Sequence, residues 1–185
     1  RLLVGTNAGF LHMFTDHEND PAIATDDTVT ENWAFIPEEL LRFGLSLRDA
    51  PLSDEHKYGM DLSPIAIKVF DSTGVLSKII AVVGMRRGGG SYYALDITNP
   101  DAPKLVWKID SSTPGFSELA QTWSMPSIGT FAYEDGGTPT VAPGLVFGAG
   151  YDTNKDTCIA SATESCDDVT GRGVFIVNAL TGSKI

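Results

Sequence analysis

Two stretches of the chain hold the residue types best suited to chemistry. The first is GMRRGGGSYYALDIT at 84–98, where Arg86 and Arg87 precede three consecutive glycines and follow an apolar run, IIAVV at 79–83. Glycine-rich loops with basic neighbours cradle phosphate when a helix follows, because the first N–H groups of that helix lack intrahelical acceptors and hold the anion. Here the following residues, Ser91 to Ile97, are rich in aromatic and β-branched types, and there is no Walker-type lysine. The glycines are therefore expected to turn the chain between two strands. Arg86 and Arg87 then sit at a hairpin tip, as solvated charges, paired with acidic surface, or in contact with a partner; anion binding is disfavoured.

The second stretch is DTNKDTCIASATESC at 152–166. Asp152, Asn154 and Asp156 have the 1,3,5 spacing of a calcium loop, which needs six to eight oxygens, with glycine at position six and a bidentate glutamate at twelve. This loop offers Thr157 and Thr163 at those positions, and Glu164 comes one residue late. The three residues are a weak calcium candidate beside the plainer alternative of a solvated turn with Asx hydrogen bonds. Cys158 and Cys166 are the only cysteines. Bridged, they would stabilise the chain by about 2.5 kcal/mol in the chain-entropy model and would require an oxidising compartment; unbridged, they would be two surface thiols. The bridge is the favoured expectation, since no CxxC pair or nearby histidine supports zinc. His12, His17 and His56 are not at metal-ligand spacing, and no Ser/His/Asp set can be assigned. A noncatalytic interaction domain is expected, with no cofactor unless calcium.

These residues must be positioned by strands. Strand-like runs recur at 2–5, 10–14, 33–36, 65–70, 78–84, 91–97, 105–109, 127–133, 145–150 and 174–178, and the one helical candidate is short, PEELLRF at 37–43. Three segments share one pattern of apolar strand, glycine, loop and aromatic-apolar strand: 4–14, 83–96 and 147–178. Each reads as a β-hairpin. The last two end in Asp96 or Asn178 followed by a turn, and after Asp96 comes an outer strand with Trp107. Hairpin, Asp or Asn turn, and outer strand with Trp is how a β-propeller blade is built, at roughly 40 residues per blade. The fold class expected is all-β: a single domain over 1–185, a β-propeller of four-stranded antiparallel blades present as a partial set of at most about four, with a variable Cys-containing loop at 152–170. Trp33, Trp107 and Trp123 are expected to fill wedges between blades, and alternation puts Tyr93 and Leu95 on one face of their strand.

Charge narrows the partners. The 185 residues carry 13 basic and 24 acidic side chains, a net charge of −11, which repels nucleic-acid phosphate and anionic membranes. No apolar run approaches the roughly 18 residues that span a bilayer. The chain opens inside a strand-like run, RLLV, with no initiator Met, and reads as a piece of a longer protein.

Taken in order, VGTNAGFLHMF at 4–14, WAFIPEELL at 33–41, KYGMDLSPIAIKVF at 57–70, GMRRGGGSYYALDITNPDAPKLVWKI at 84–109, QTWSMPSIGTF at 121–131, VFGAGYDTN at 146–154 and GRGVFIVNALTG at 171–182 resemble the C-terminal propeller of the PilC/PilY family of type IV pilus biogenesis factors and tip-associated adhesins. The resemblance implies an exported protein of the periplasm, outer-membrane surface or pilus tip. It implies one that supports pilus assembly, counteracts retraction, meets minor pilins and presents an adhesive surface to host or abiotic material. The family's calcium loop follows the turn matching Thr181-Gly182, where this chain stops, so calcium at 152–156 is not inherited from the resemblance. The strand repeats alone are shared with quinoprotein dehydrogenases, the enzyme alternative. Those enzymes often carry a vicinal cysteine pair, and Cys158 and Cys166 are not vicinal.

Overall fold

Strand-forming runs broken by glycine-bearing turns give ten strands in the computed structural model, which describes residues 1–16, 28–42, 57–158 and 166–185. They are β1 (Leu2–Gly5), β2 (Leu11–Asp16), β3 (Val29–Phe35), β4 (Ile65–Phe70), β5 (Leu76–Gly84), β6 (Tyr92–Asp96), β7 (Lys104–Ile109), β8 (Ser127–Asp135), β9 (Thr138–Gly148) and β10 (Val174–Asn178). Three antiparallel sheets result, ordered β1-β2-β3, β4-β5-β6-β7 and β10-β9-β8. They are propeller blades, and the chain is a partial set. Among the described residues, the middle blade has four strands and the other two have three each. In the third blade, Val177 forms a bridge with Lys184 and Ile185 N donates to Ile176 O at 2.8 Å, so the chain after β10 begins to pair where β7 pairs with β6 in the middle blade.

The middle blade is apolar on both faces, which explains why its sequence reads as a continuous run and not an alternation. Ile80, Val82, Tyr92 and Ala94 belong to a cluster with Leu145, Phe147, Phe175 and Val177 of the third blade. Ala81, Val83, Tyr93 and Leu95 belong to a second cluster with Leu11 and Met13 of the first. Each fully buried aliphatic side chain contributes about 1.5–3 kcal/mol, so β5 and β6 hold the stack together from its centre. The expected shared face of Tyr93 and Leu95 is present, and both are buried. Trp107 closes one wedge: its Nε1 donates to Ala179 O at 2.9 Å, and its ring lies against Gly182. Trp33 Nε1 donates to Pro100 O at 2.7 Å, linking the first blade to the β6–β7 turn.

The three expected hairpins are β1–β2, β5–β6 and β9–β10, and the first strand of each ends in glycine. Two of these glycines are required by a close approach. A Cβ on Gly5 would run into the Met60 carbonyl, and one on Gly84 would lie 2.9 Å from Thr122 Oγ1, because the segment leading into the next blade crosses there.

The departures have local causes. The strand expected from 145 begins at Thr138, and it contains Pro139 and Pro143. Both prolines lie where β9 pairs with β8 alone, so no ladder on the β10 side is broken. The expected helix is the single turn α1 (Glu38–Leu41); Phe43 lies outside the described residues, as do His17 and His56. Two further single turns were not expected, a 3-10 turn at Arg86–Gly88 and α2 (Asn154–Thr157).

Candidate functional site

Antiparallel pairing sends the β5–β6 loop, the β9–β10 connection and the lead-ins to β4 and β8 to one end of the sheets. There they are welded by backbone and buried hydroxyl. Gln121 N donates to Tyr151 O at 3.1 Å and Tyr151 N returns to Gln121 O at 3.0 Å. Thr122, fully buried, accepts at Oγ1 from Met85 N at 2.8 Å and Arg86 N at 3.2 Å. Thr122 N donates to Gly89 O at 3.1 Å. A Cβ on Gly88 would collide with the Gly59 carbonyl and one on Gly90 would lie 3.1 Å from the Ala120 carbonyl, so these glycines of the GMRRGGG loop serve close packing against two lead-ins.

Onto this frame the loop projects both arginines. Arg86, held at φ 52° in the left-handed region, lies 4.7 Å over the Trp123 ring and 3.7 Å from Asp61 Oδ2. Arg87 lies between two rings, 5.0 Å from the centroid of Tyr58 and 5.3 Å from that of Trp123, and its Nη1 donates to Tyr58 OH at 2.8 Å. Gln121 fixes the neighbourhood: its Nε2 donates to Arg87 O at 3.2 Å and its Oε1 accepts from Trp123 Nε1 at 3.0 Å. Tyr151 packs 5.9 Å from Trp123, centroid to centroid, and donates to Asp156 Oδ1 at 2.7 Å, a hydrogen bond that pushes its phenol up. Tyr58, Arg87, Gln121, Trp123, Tyr151 and Asp156 line a cleft of about 540 Å³, within the usual range of ligand pockets. Trp123 was expected in a blade wedge; it sits instead in a loop at the mouth of this cleft, because the TWSMP segment is the lead-in to β8 and not part of the strand. No sequence pattern marked Tyr58, Gln121 and Tyr151 as neighbours, since they come from three separate connections.

A second polar cluster fastens α1 to the middle blade. Ser91 Oγ donates to Glu39 Oε1 at 2.6 Å, Tyr93 OH donates to Glu39 Oε2, and Lys108 Nζ lies 3.5 Å from that oxygen and 3.1 Å from Asp110. Burial raises the Glu39 carboxyl, but the Ser91 and Tyr93 hydrogen bonds and the Lys108 charge outweigh it, and the group titrates below its ordinary value. Burial and the Glu39 carboxylate push the Tyr93 phenol up.

The calcium candidates do not form a cation cage. Asp152 Oδ1 accepts from Asn154 N at 3.1 Å, and its Oδ2 accepts from Val169 N at 2.7 Å and Thr170 N at 2.9 Å; these backbone donors hold its carboxyl below the usual range. Asp156 is tied to Tyr151, and Asn154 Nδ2 donates to Asp167 O at 2.8 Å. Of the three candidate ligands, Asn154 contributes one buried oxygen, Oδ1, without a hydrogen-bond partner among the described residues, where calcium wants six to eight. The residues described do not fit the ion; Thr163 and Glu164 lie outside them. Cys158 and Cys166 are bridged, with Cα atoms 5.7 Å apart. His12 stands between Phe10 and Phe14 in the first blade, with Nδ1 3.5 Å from Glu31 Oε1, far from the cleft in chain and sheet.

No family model matches the chain. Over 133 residues, 69% of its length, it is 34% identical to the type IV pilus biogenesis factor PilY1 of Pseudomonas aeruginosa strain UCBPP-PA14, covering 10% of that protein. A PilY1 homolog of Xylella fastidiosa strain Temecula1 is 30% identical over 126 residues, 68% of the chain and 9% of the relative. The crystal structure of the P. aeruginosa PilY1 C-terminal domain superposes with a TM-score of 0.58 at 23% identity, covering 100% of the chain and 29% of that domain, so the fold is shared. The chain thus spans about a tenth of the length of the curated relatives it matches. With its blade order and its sequence pointing the same way, this chain belongs to the PilY1 family of type IV pilus biogenesis factors, as a propeller segment.

Proposed function

We propose that the chain is the interaction segment of an exported type IV pilus biogenesis factor that works by protein contacts, without an active site. In this reading its parent acts in the periplasm, on the outer-membrane surface or at the pilus tip. It meets minor pilins, supports assembly against retraction and helps attach the cell to host or abiotic surfaces. The observation that carries the reading is the loop end of the blades. A welded frame there presents Arg86 and Arg87 on an otherwise acidic chain, suited to an acidic protein face. The relatives named as pilus biogenesis factors and the Cys158–Cys166 bridge, which suits an oxidising compartment, support it. No observation favours the quinoprotein alternative.

The test is copurification of minor pilins with the full-length parent and with its Arg86→Ala/Arg87→Ala variant. Retention of pilins by the parent and a loss of at least about tenfold in the variant are expected, the size of one charge-assisted contact. Equal recovery from both would remove the arginines from the interface, and quinone-dependent alcohol oxidation by the parent would overturn the noncatalytic reading.

A further inference from the structure

We infer that the cleft between the lead-ins of the middle and third blades binds a saccharide ring bearing a carboxylate. Among the described residues it is lined by the aromatic side chains of Tyr58, Trp123 and Tyr151, the first two also in contact with the Arg87 guanidinium, and by the planar polar tips of Arg87, Gln121 and Asp156. Aromatic walls with planar hydrogen-bonding tips match a sugar, which has apolar C–H faces and hydroxyls around its rim.

The charges specify the kind of sugar. Arg86 has a carboxylate at 3.7 Å in Asp61. Among the described residues no ion pair is formed by Arg87, whose guanidinium is instead oriented by Tyr58 OH and two ring faces. A guanidinium pre-positioned in this way presents its remaining N–H groups as a fork that matches a carboxylate. Across the cleft, Asp156 uses Oδ1 for Tyr151 and retains Oδ2 as an acceptor for sugar hydroxyls.

An extended peptide fits less well, because it needs a free backbone edge. The backbone bordering the cleft is already engaged: Gln121 and Tyr151 exchange both hydrogen bonds, Trp123 N donates to Gln121 O at 2.9 Å, and Thr122 N is bound to Gly89 O. The recognition groups left are side chains.

This inference goes beyond the pilin reading and is separable from it. The intact protein is titrated with N-acetylneuraminate, glucuronate and galacturonate, with glucose and galactose as neutral controls and an acidic pentapeptide as competitor. Binding is followed by calorimetry and by Trp123 fluorescence, with a Trp123→Phe variant to assign the signal. Acidic sugars are expected to bind at least about tenfold more tightly than neutral ones, and Arg87→Met is expected to lose that preference, as removal of a charge-assisted pair requires. Arg87→Lys, which keeps the charge without the fork, is expected to fall between, and it serves if Arg87→Met does not fold. Sialate or uronate preference tells which source of the acidic sugar the cleft suits. Equal binding of neutral sugars, no sugar binding, displacement by the peptide at lower concentration than any sugar, or unchanged affinity in both Arg87 variants would each overturn the inference. Pilin copurification is unaffected by a null titration, so the two readings fail separately.

Discussion

Arg86 and Gly88 illustrate how differently two neighbours in one loop can matter. Arg86 is an L-residue at φ 52°, a conformation that disfavours side chains by roughly 1–2 kcal/mol. Its ring contact with Trp123 and exposed pairing with Asp61 return about 0.5–1 kcal/mol. Arg86→Gly is therefore expected to leave stability within about 1 kcal/mol of the parent chain or to raise it. Gly88→Ala must displace the Gly59 carbonyl, which belongs to backbone that cannot rotate aside, and is expected to lose about 1–3 kcal/mol. Urea unfolding of the two variants measures both; the reverse order of stability would mean that the loop is not packed on the lead-in as described. The sequence showed the glycines and the turn but not the carbonyl that makes one of them necessary, because Gly59 comes from another connection.

Among the elements, α1 is too short to be stable alone, and the Glu39 cluster with buried Leu40 fixes it to the sheet. The folded-state carboxyl of Glu39 is lowered, so its contribution to stability is present above the unfolded value and is lost as pH falls through the folded one. Thermal melts from pH 7 down to pH 3 are expected to show Glu39→Gln destabilised by about 1–3 kcal/mol at neutral pH, with the gap closing in acid. A gap that is constant with pH would mean that the carboxylate charge does not hold α1. Strand positions at this scale were readable from residue types, since β-branched and aromatic runs specified all ten. The first half of β9 was not, because its two prolines argue for a loop unless one knows that β10 ends before reaching them.

At the scale of the molecule, the middle blade has both faces in hydrophobic clusters formed by the described residues, one shared with the third blade and one with the first. The outer sheets leave Val29, Ile128, Val141 and Val174 exposed. For residues 1–185 taken as a separate chain, hydrogen exchange is expected to be slowest for β5 and β6 and faster in β3 and β8, since within that chain opening an outer sheet disrupts one interface and opening the middle blade disrupts two. Uniform protection across the three sheets would show instead that the stack opens as one cooperative unit.

By itself the sequence determined the strands, the three equivalent hairpins, the acidic charge and the family likeness, because these follow from local residue type, period-two alternation and spacing. It also brought Cys158 and Cys166 close enough to bridge, since they share one loop. Only the tertiary structure decided which side chains meet at the loop end. Tyr58, Arg87, Trp123 and Tyr151 lie on separate connections, and their meeting depends on blade stacking. The same long-range geometry moved Trp123 from a wedge to the cleft and gave the Asp152 carboxylate to the backbone of Val169 and Thr170, partners seventeen and eighteen residues away that no local spacing rule identifies.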